Sequence, residues 1–279
     1  MIIWLASYPK SGNTLLRSLL SSYFFSNDGD FKFNYLYKIS QFPAVHHFTS
    51  LGINTSDENE VFKNFINAQN LINKQNKSLK FFKTHSALCK MNDCNFTDLK
   101  NTLGVIYIVR DPRNVVTSVA HHYNLSVDEA TETMLDKNRF MQKTTKNLRV
   151  FIGSWNFSYN SWKNLKDQKK YLLIKYEDLI LDPKKNLVKI IEFIFSLSNR
   201  KSPIDMNKID NVVKSTTLDN LKKLEAANDF NERARDKKGK KINFFDKGGQ
   251  RNWSKSLKKN LIDQIEKSFK QEMTELGYL

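Results

Sequence analysis

A lysine, small hydroxyl residues and a glycine meet where an apolar run, MIIWLAS, gives way to a helical pattern. The first N–H groups of a helix lack partners within it, and the helix dipole adds partial positive charge, so such a junction binds anions. Gly12 allows close approach to the backbone, and Lys10 adds a positive charge. Further donors are Ser11, Asn13 and Thr14. The pattern predicts a phosphate-binding loop, with an ordinary helix start as the alternative. It differs from the Walker A motif, because the lysine precedes the glycine.

A second candidate site follows the buried run VIYIV. Arg110 stands at the carboxyl end of this run, where open α/β sheets place their ligands, and Ser118 lies two turns into the next helical pattern. A guanidinium binds phosphate oxygens through a fork of hydrogen bonds, which a hydroxyl can complete. The alternative is that Arg110 pairs with Asp111 or Glu177, while Ser118 bonds within its own helix.

A third candidate site is the segment FFKTHSAL, in which Lys83 and His85 follow another apolar run. An imidazole titrates near pH ~6.5 and can accept a proton at neutral pH, so His85 is a candidate general base. A structural role for His85 is the alternative. The other histidines lack a neighbouring lysine at a strand end, namely His46, His47, His121 and His122.

Four short apolar runs, at residues 2–7, 79–83, 104–109 and 171–175, predict strands buried on both faces of a sheet. Helical patterns separate them, which favours parallel pairing. The predicted fold is a three-layer, P-loop-like α/β fold with a central parallel sheet flanked by helices. Helices are predicted at about residues 13–25, 57–75, 112–123, 127–136, 146–167, 183–196 and 254–276.

The composition bounds the class of protein. The chain has 279 residues and a net charge of +16, which implies an anionic ligand or partner. Cys89 and Cys94 are its only cysteines, so a disulfide framework and a zinc site are not expected. The absence of a long apolar run predicts a cytoplasmic protein without a membrane span. The polar segment 224–251 ends in KGGQRNW and predicts either a mobile lid or a solvated basic loop.

The three clusters together resemble the cytosolic type of sulfotransferases that use 3′-phosphoadenosine 5′-phosphosulfate (PAPS). YPKSGNTL is similar to the first phosphate loop of that family, KTH to its catalytic element, and the spacing of Arg110 and Ser118 to its second phosphate site. Further similarity lies in GSWNFSYNSW, YLLIKYEDLILDP and the late pattern KGxxxxW. The resemblance extends over nearly the whole chain and implies a single sulfotransferase domain at 1–279.

The resemblance also implies a role for each matching residue. His85 would deprotonate a hydroxyl or amine of a small-molecule or glycan acceptor, while Lys10 and Lys83 would stabilise the developing charge, with no metal. The resemblance divides the donor site into three parts: the 5′-phosphosulfate would be held by Lys10, Ser11, Gly12, Asn13 and Thr14, the 3′-phosphate by Arg110, Ser118, Lys247 and Gly248, and the adenine by Tyr176 and Thr216.

The chain departs from the family pattern at three places. Leu15 replaces a tryptophan that stacks on adenine, and Asp246 replaces an arginine, for which Arg251 is a candidate substitute in donor binding. The family's dimer motif is not recognisable in SKSLKKNLID, which leaves the oligomeric state open.

Two other functions remain at this point. An ATP-dependent P-loop phosphotransferase would use Lys10 for phosphate and Asp111 for magnesium. A nucleic-acid-binding protein would use the positive charge, but zinc-finger and RNP signatures are absent and no specific nucleic acid is expected. The acceptor pocket is predicted from loops at about residues 31–56, 86–96, 123–147 and 224–246. Two roles are open for a group of aromatic residues, which could form an apolar wall of this pocket or belong to the hydrophobic core: Phe31, Phe33, Tyr35, Phe42 and Phe48.

Overall fold

A computed structural model describes residues 1–76, 78–227, 230, 232–233, 239, 242–245 and 252–279. Its strands are β1 (Ile2–Ala6), β2 (Lys80–Thr84), β3 (Lys90–Met91), β4 (Cys94–Asn95), β5 (Thr102–Val109), β6 (Phe140–Met141), β7 (Val150–Phe151) and β8 (Tyr171–Lys175). Its helices are α1 (Asn13–Phe25), α2 (Phe33–Leu36), α3 (Val45–Thr49), α4 (Glu58–Lys63), α5 (Phe65–Lys74), α6 (Pro112–Tyr123), α7 (Val127–Leu135), α8 (Trp155–Lys163), α9 (Tyr176–Leu181), α10 (Pro183–Leu197), α11 (Met206–Ser215), α12 (Leu218–Ala227), α13 (Lys259–Ser268) and α14 (Lys270–Glu275).

The central sheet has four parallel strands in the order β2-β1-β5-β8. In register, Ala6 of β1 lies between Thr84 of β2 and Tyr107 of β5, and Val109 of β5 lies beside Lys175 of β8. All four strands therefore end at the same edge of the sheet. The loops that follow them are brought together there, as in other open α/β sheets.

The sheet is buried on both faces, which explains why its strands are continuous apolar runs. Along β1, Trp4 joins a cluster with α5, α6, α8 and α13 on one face. The neighbouring Ile3 and Leu5 join a second cluster with α1, α10 and α11 on the other face. The result is three layers, so the predicted α/β fold is confirmed.

Most predicted elements are present, but three helix predictions need correction. The helix predicted at 146–167 is restricted to α8, because β7 pairs with β6 before it. The helix predicted at 57–75 is divided at Asn64, whose side-chain amide donates to the Glu60 carbonyl. The helix predicted at 254–276 begins later and is divided at Phe269. Helices α2, α3, α9, α11 and α12 were not predicted.

The segment predicted as a lid begins inside α12, whose Glu225 is only 2 % exposed. The Glu225 carboxylate accepts hydrogen bonds from Arg233 Nε at 2.7 Å and from the backbone N–H groups of Phe244 and Phe245 at 2.7 and 3.0 Å. One buried carboxylate thus holds two separate parts of the following segment against α12.

Both cysteines have free thiols, and burial raises the pKa of Cys89 to about 11. Within the described residues, no cluster of histidine, cysteine and carboxylate side chains could hold a metal ion. None of the helices described combines the length and apolar character needed to cross a bilayer.

Buried histidines make the stability of the fold dependent on pH. His47 stacks on Phe42, its Nδ1 accepts a hydrogen bond from the Ala44 N–H, and burial lowers its pKa to about 3. The unfolded chain protonates His47 near pH ~6.5, so between that pH and about 3 the unfolded state binds more protons. Stability therefore falls with decreasing pH across this window.

We expect the substitution His47→Asn to weaken this pH dependence. Asparagine can accept the Ala44 hydrogen bond but does not titrate. The difference in free energy of unfolding between pH 7 and pH 5, measured with urea, should become smaller by about 2 kcal/mol. The matched substitution His46→Asn, at an exposed neighbour, should leave that difference within ~0.5 kcal/mol. If the difference in free energy of unfolding between pH 7 and pH 5 is unchanged in the His47 variant, the pKa of about 3 for His47 is contradicted.

Candidate active site

The loop after β1 has the backbone shape of an anion cradle. Lys10 and Gly12 have positive φ angles of 66° and 103°, and a Cβ atom on Gly12 would lie 2.3 Å from the Tyr176 ring. The loop is fixed to β1 because Asn13 Nδ2 donates to the Leu5 carbonyl at 2.8 Å. Ser11 Oγ and Asn13 Oδ1 are buried without a hydrogen-bond partner in the described structure. Of these two residues only Asn13 lines the cavity, where its amide oxygen can accept a hydrogen bond from a ligand.

Arg110, at the end of β5, faces this loop. Its guanidinium lies 4.4 Å from the centre of the Tyr176 ring, and Nη1 donates to the Lys10 carbonyl at 3.3 Å. Asp111 instead forms a salt bridge of 2.8 Å with Arg113. Glu177 accepts hydrogen bonds from the Asp111 N–H and from the Tyr278 hydroxyl, both within 3.0 Å. The Asp111 carboxylate is therefore engaged by Arg113 and does not line the cavity, which weakens the phosphotransferase interpretation.

His85 follows β2 and is 7 % exposed. Its Nδ1 lies 2.8 Å from the Ser7 carbonyl oxygen. Since a carbonyl only accepts hydrogen bonds, this contact assigns the proton to Nδ1 and leaves the lone pair on Nε2. Burial, reinforced by the charge of Lys83, lowers the pKa of His85 to about 3. The imidazole is thus neutral at pH 7, and its Nε2 carries no proton.

An acidic residue that the sequence did not single out, Glu232, lies in the same place. Its carboxylate is 2.5 Å from Arg17 Nη1, 3.1 Å from Thr14 Oγ1 and 3.6 Å from Lys83 Nζ. Burial opposes its ionisation, but the charges of Lys83 and Arg17 hold the pKa of Glu232 below its usual range. The region therefore stabilises a negative charge. No local pattern around Arg17 or Glu232 indicated this contact, because the two residues are far apart in sequence.

These side chains line one cavity of about 1200 Å³. The sequence-predicted residues that line it are Lys10, Gly12, Asn13, Thr14, Lys83, His85, Arg110, Ser118, Tyr176 and Thr216, together with Leu15. Ser11 is fully buried and does not line the cavity, so the structure does not bring its hydroxyl to the predicted donor site. Asp246, Lys247, Gly248 and Arg251 lie outside the described residues.

An anion-binding turn and an arginine at the carboxyl edge of a parallel sheet are typical of α/β proteins that bind nucleotides. The family model described as "Sulfotransferase domain" matches residues 2–277. The chain therefore belongs to the sulfotransferase family, whose members are enzymes.

Curated relatives agree with this family. The chain is 27 % identical over 281 residues to cytosolic sulfotransferase 13 of Arabidopsis thaliana, covering 97 % of this chain and 76 % of that protein. It is 25 % identical to an amine sulfotransferase of Oryctolagus cuniculus, covering 62 % of this chain and 55 % of that protein. The match to the rabbit protein thus spans little more than half of its length.

Solved structures share the fold. A mouse sulfotransferase complexed with PAP (adenosine 3′,5′-bisphosphate) has a TM-score of 0.62 and 20 % identity to this chain. The match covers 98 % of this chain and 84 % of that one. A retinol dehydratase in complex with androsterone and PAP has a TM-score of 0.61 and 16 % identity, covering 98 % and 80 %.

Proposed function

We propose that this protein transfers the sulfuryl group of PAPS to a hydroxyl or amine of an acceptor. One observation carries the proposal: the phosphate loop, Arg110 and His85 follow three different strands and line a single cavity. Family membership and the PAP named with the structural neighbours support the same donor. The names of the plant relatives, cytosolic sulfotransferases, support the prediction of a cytoplasmic protein.

The residues around the cavity fit such a donor. The positive φ of Gly12 and the close Tyr176 ring exclude a side chain at this position, and the loop around Gly12 lines the cavity. Lys10 and Thr14 line the cavity and can donate to the phosphosulfate group. Arg110 and Ser118 are candidates for the 3′-phosphate, and Tyr176, Thr216 and Leu15 for the adenine. In this proposal residues 1–279 form one domain.

The donor supplies the electrophilic sulfur, and the protein residues supply the proton transfer and charge stabilisation. His85 accepts the acceptor's proton at Nε2 while the acceptor oxygen or nitrogen forms a bond to sulfur. The bond between sulfur and the bridging oxygen breaks, and its electron pair stays on the departing bisphosphate. Lys10 and Lys83 stabilise the negative charge on the bridging oxygen and the sulfuryl group. Adenosine 3′,5′-bisphosphate and the sulfated acceptor are the products.

The direct test is to incubate the full chain with PAPS carrying radiolabelled sulfate and a mixture of hydroxylated and amine compounds. The label should move to an acceptor, with one bisphosphate released for each sulfate transferred. Binding of the bisphosphate without any transfer across a broad mixture would contradict the proposal.

Glu232 provides a separate prediction, because its carboxylate contacts Thr14 and Lys83, two residues assigned to the phosphosulfate and sulfuryl groups. The substitution Glu232→Gln removes a negative charge close to an anionic ligand. We expect the dissociation constant of this variant for adenosine 3′,5′-bisphosphate, measured by calorimetry, to fall about fivefold. The corresponding free energy is a small part of the ~4 kcal/mol by which two unit charges interact at 4 Å in a partly polar medium. Arg17 and Lys83 screen the remainder.

A matched control is Glu58→Gln, which removes an exposed partner of Arg149. This variant should bind the bisphosphate as the unchanged protein does. Weaker binding in the Glu232 variant would contradict the prediction.

A further inference from the structure

We propose that the acceptor is a polyhydroxylated, carbohydrate-like compound and that His122 hydrogen-bonds to it beside the reacting hydroxyl. This inference rests on the proposed sulfotransferase function and names its substrate class. The argument depends on the chemical difference between the two halves of the cavity.

The half that faces the catalytic imidazole is fixed by backbone pairing. The Phe42 N–H donates to the Lys83 carbonyl and the Lys83 N–H donates to the Ser40 carbonyl, both at 2.9 Å. Segment 40–42 thus runs beside the end of β2, where it pairs with Lys83, the residue two positions before His85 in sequence. Ala44 pairs in turn with Asn147, which positions the turn at 144–147. We call the lining residues of 37–49, 121–123 and 141–147 the acceptor half.

Most side chains in the acceptor half can form hydrogen bonds. Only Ala44, Val45 and Met141 among its described lining residues lack a hydrogen-bonding group of ordinary strength. The three segments together supply hydroxyl, amide and imidazole groups, for example Ser40, Gln41, Thr49, His122, Thr144 and Asn147. Ser40, Gln41, His122 and Asn147 are only partly exposed, and a planar phenol or a steroid that covered them would leave them without partners, at about 1–3 kcal/mol each.

The apolar lining residues lie mostly in the other half of the cavity, outside the acceptor half. Leucine and valine side chains surround the proposed adenine region, including Leu15, Leu179, Val213 and Leu218. None of the five aromatic residues between positions 31 and 48 that could have formed an apolar acceptor wall lines the cavity. Phe42 and Phe48 belong to the main core, and Phe31 packs against Phe33. The aromatic rings that border the acceptor half are those of Tyr37, Tyr123 and Phe244, the last in contact with His122. Their faces can stack on a sugar ring, and the tyrosine hydroxyls can bond to it.

His122 lies close to the reaction centre. It lies in the last turn of α6, and its ring contacts that of Phe244 edge-on, with the ring centres 5.8 Å apart. Lys10 Nζ lies 4.1 Å from the centre of the same Phe244 ring. Burial, with the charges of Lys10 and Lys83, lowers the pKa of His122 to about 3. A neutral imidazole offers one donor and one acceptor, which suits a hydroxyl group.

The test compares acceptors with radiolabelled PAPS. The probes are methyl glucoside, maltose and N-acetylglucosamine on one side and 2-naphthol and a 3β-hydroxysteroid on the other. We expect kcat/KM for at least one saccharide to exceed that for either apolar probe at least tenfold. The substitution His122→Phe should reverse this preference by lowering kcat/KM for the saccharide at least tenfold and raising it for 2-naphthol. The substitution His122→Gln, which keeps a donor and an acceptor, should retain most saccharide activity.

Binding of adenosine 3′,5′-bisphosphate is measured on the same variants and should change less than twofold. If the bisphosphate binds and 2-naphthol or the steroid is preferred, or if no saccharide is sulfated, the inference about the acceptor is wrong while the donor assignment stands. An unchanged preference in the phenylalanine variant overturns the role of His122. If the unchanged protein does not bind the bisphosphate, the proposed function fails and the inference fails with it.

Discussion

The substitution His85→Asn should lower the rate of sulfate transfer about 1000-fold, within the range found for loss of a general base. Asparagine can place its side-chain N–H near the position of Nδ1 and keep the hydrogen bond to the Ser7 carbonyl. It offers no basic atom in place of Nε2. The rate is measured with radiolabelled PAPS at pH 7, and bisphosphate affinity by calorimetry should change less than about threefold, because His85 is assigned to the acceptor proton.

The control for this prediction is His47→Asn, which replaces an equally buried histidine that does not line the cavity. That variant should keep its turnover at pH 7 and 20 °C despite lower stability. An active His85 variant would assign the base to another residue, and a His85 variant that no longer binds bisphosphate would indicate a structural role.

The substitution Arg110→Ala should separate two nucleotides that differ by one phosphate. We expect the dissociation constant for adenosine 3′,5′-bisphosphate to rise about 100-fold, as two charge-assisted hydrogen bonds at ~1.5 kcal/mol each would give. The dissociation constant for adenosine 5′-phosphate should rise only about threefold. This remaining threefold effect is expected because Arg110 also donates to the Lys10 carbonyl and supports the loop.

Arg149→Ala serves as the control, since Arg149 is a cation outside the cavity that pairs with exposed Glu58. Its effect on both nucleotides should be small and should diminish with added salt. Equal weakening of the two nucleotides by Arg110→Ala would contradict a contact with the 3′-phosphate and assign Arg110 to the support of the loop.

The sequence predicted those features that local patterns determine. The four strands of the sheet are continuous apolar runs, and the phosphate loop lies at the junction of β1 and α1, where helix geometry leaves N–H groups without partners. Because parallel strands end at one edge, Lys10, His85 and Arg110 could be predicted to lie near one another from their positions after three strands.

Features that depend on distant contacts could not be predicted. The residues before α8 form a strand because Val150 pairs with Met141, which the helical pattern did not reveal. Glu232 reaches the site through Arg17, which is 215 residues away in sequence. The polarity of the acceptor half arises from three separate segments that only the fold brings together.

The central claim is that one cavity binds a nucleotide carrying both a 5′- and a 3′-phosphate. Its most direct test is thermal unfolding of the full chain with adenosine 3′,5′-bisphosphate, adenosine 5′-phosphate or ATP with magnesium, each at the same concentration. A ligand at 100 times its dissociation constant stabilises the native state by about 2.7 kcal/mol. We predict a clear rise in Tm with the bisphosphate and much smaller rises with the other two nucleotides. Stabilisation by ATP with magnesium and not by the bisphosphate would contradict the account.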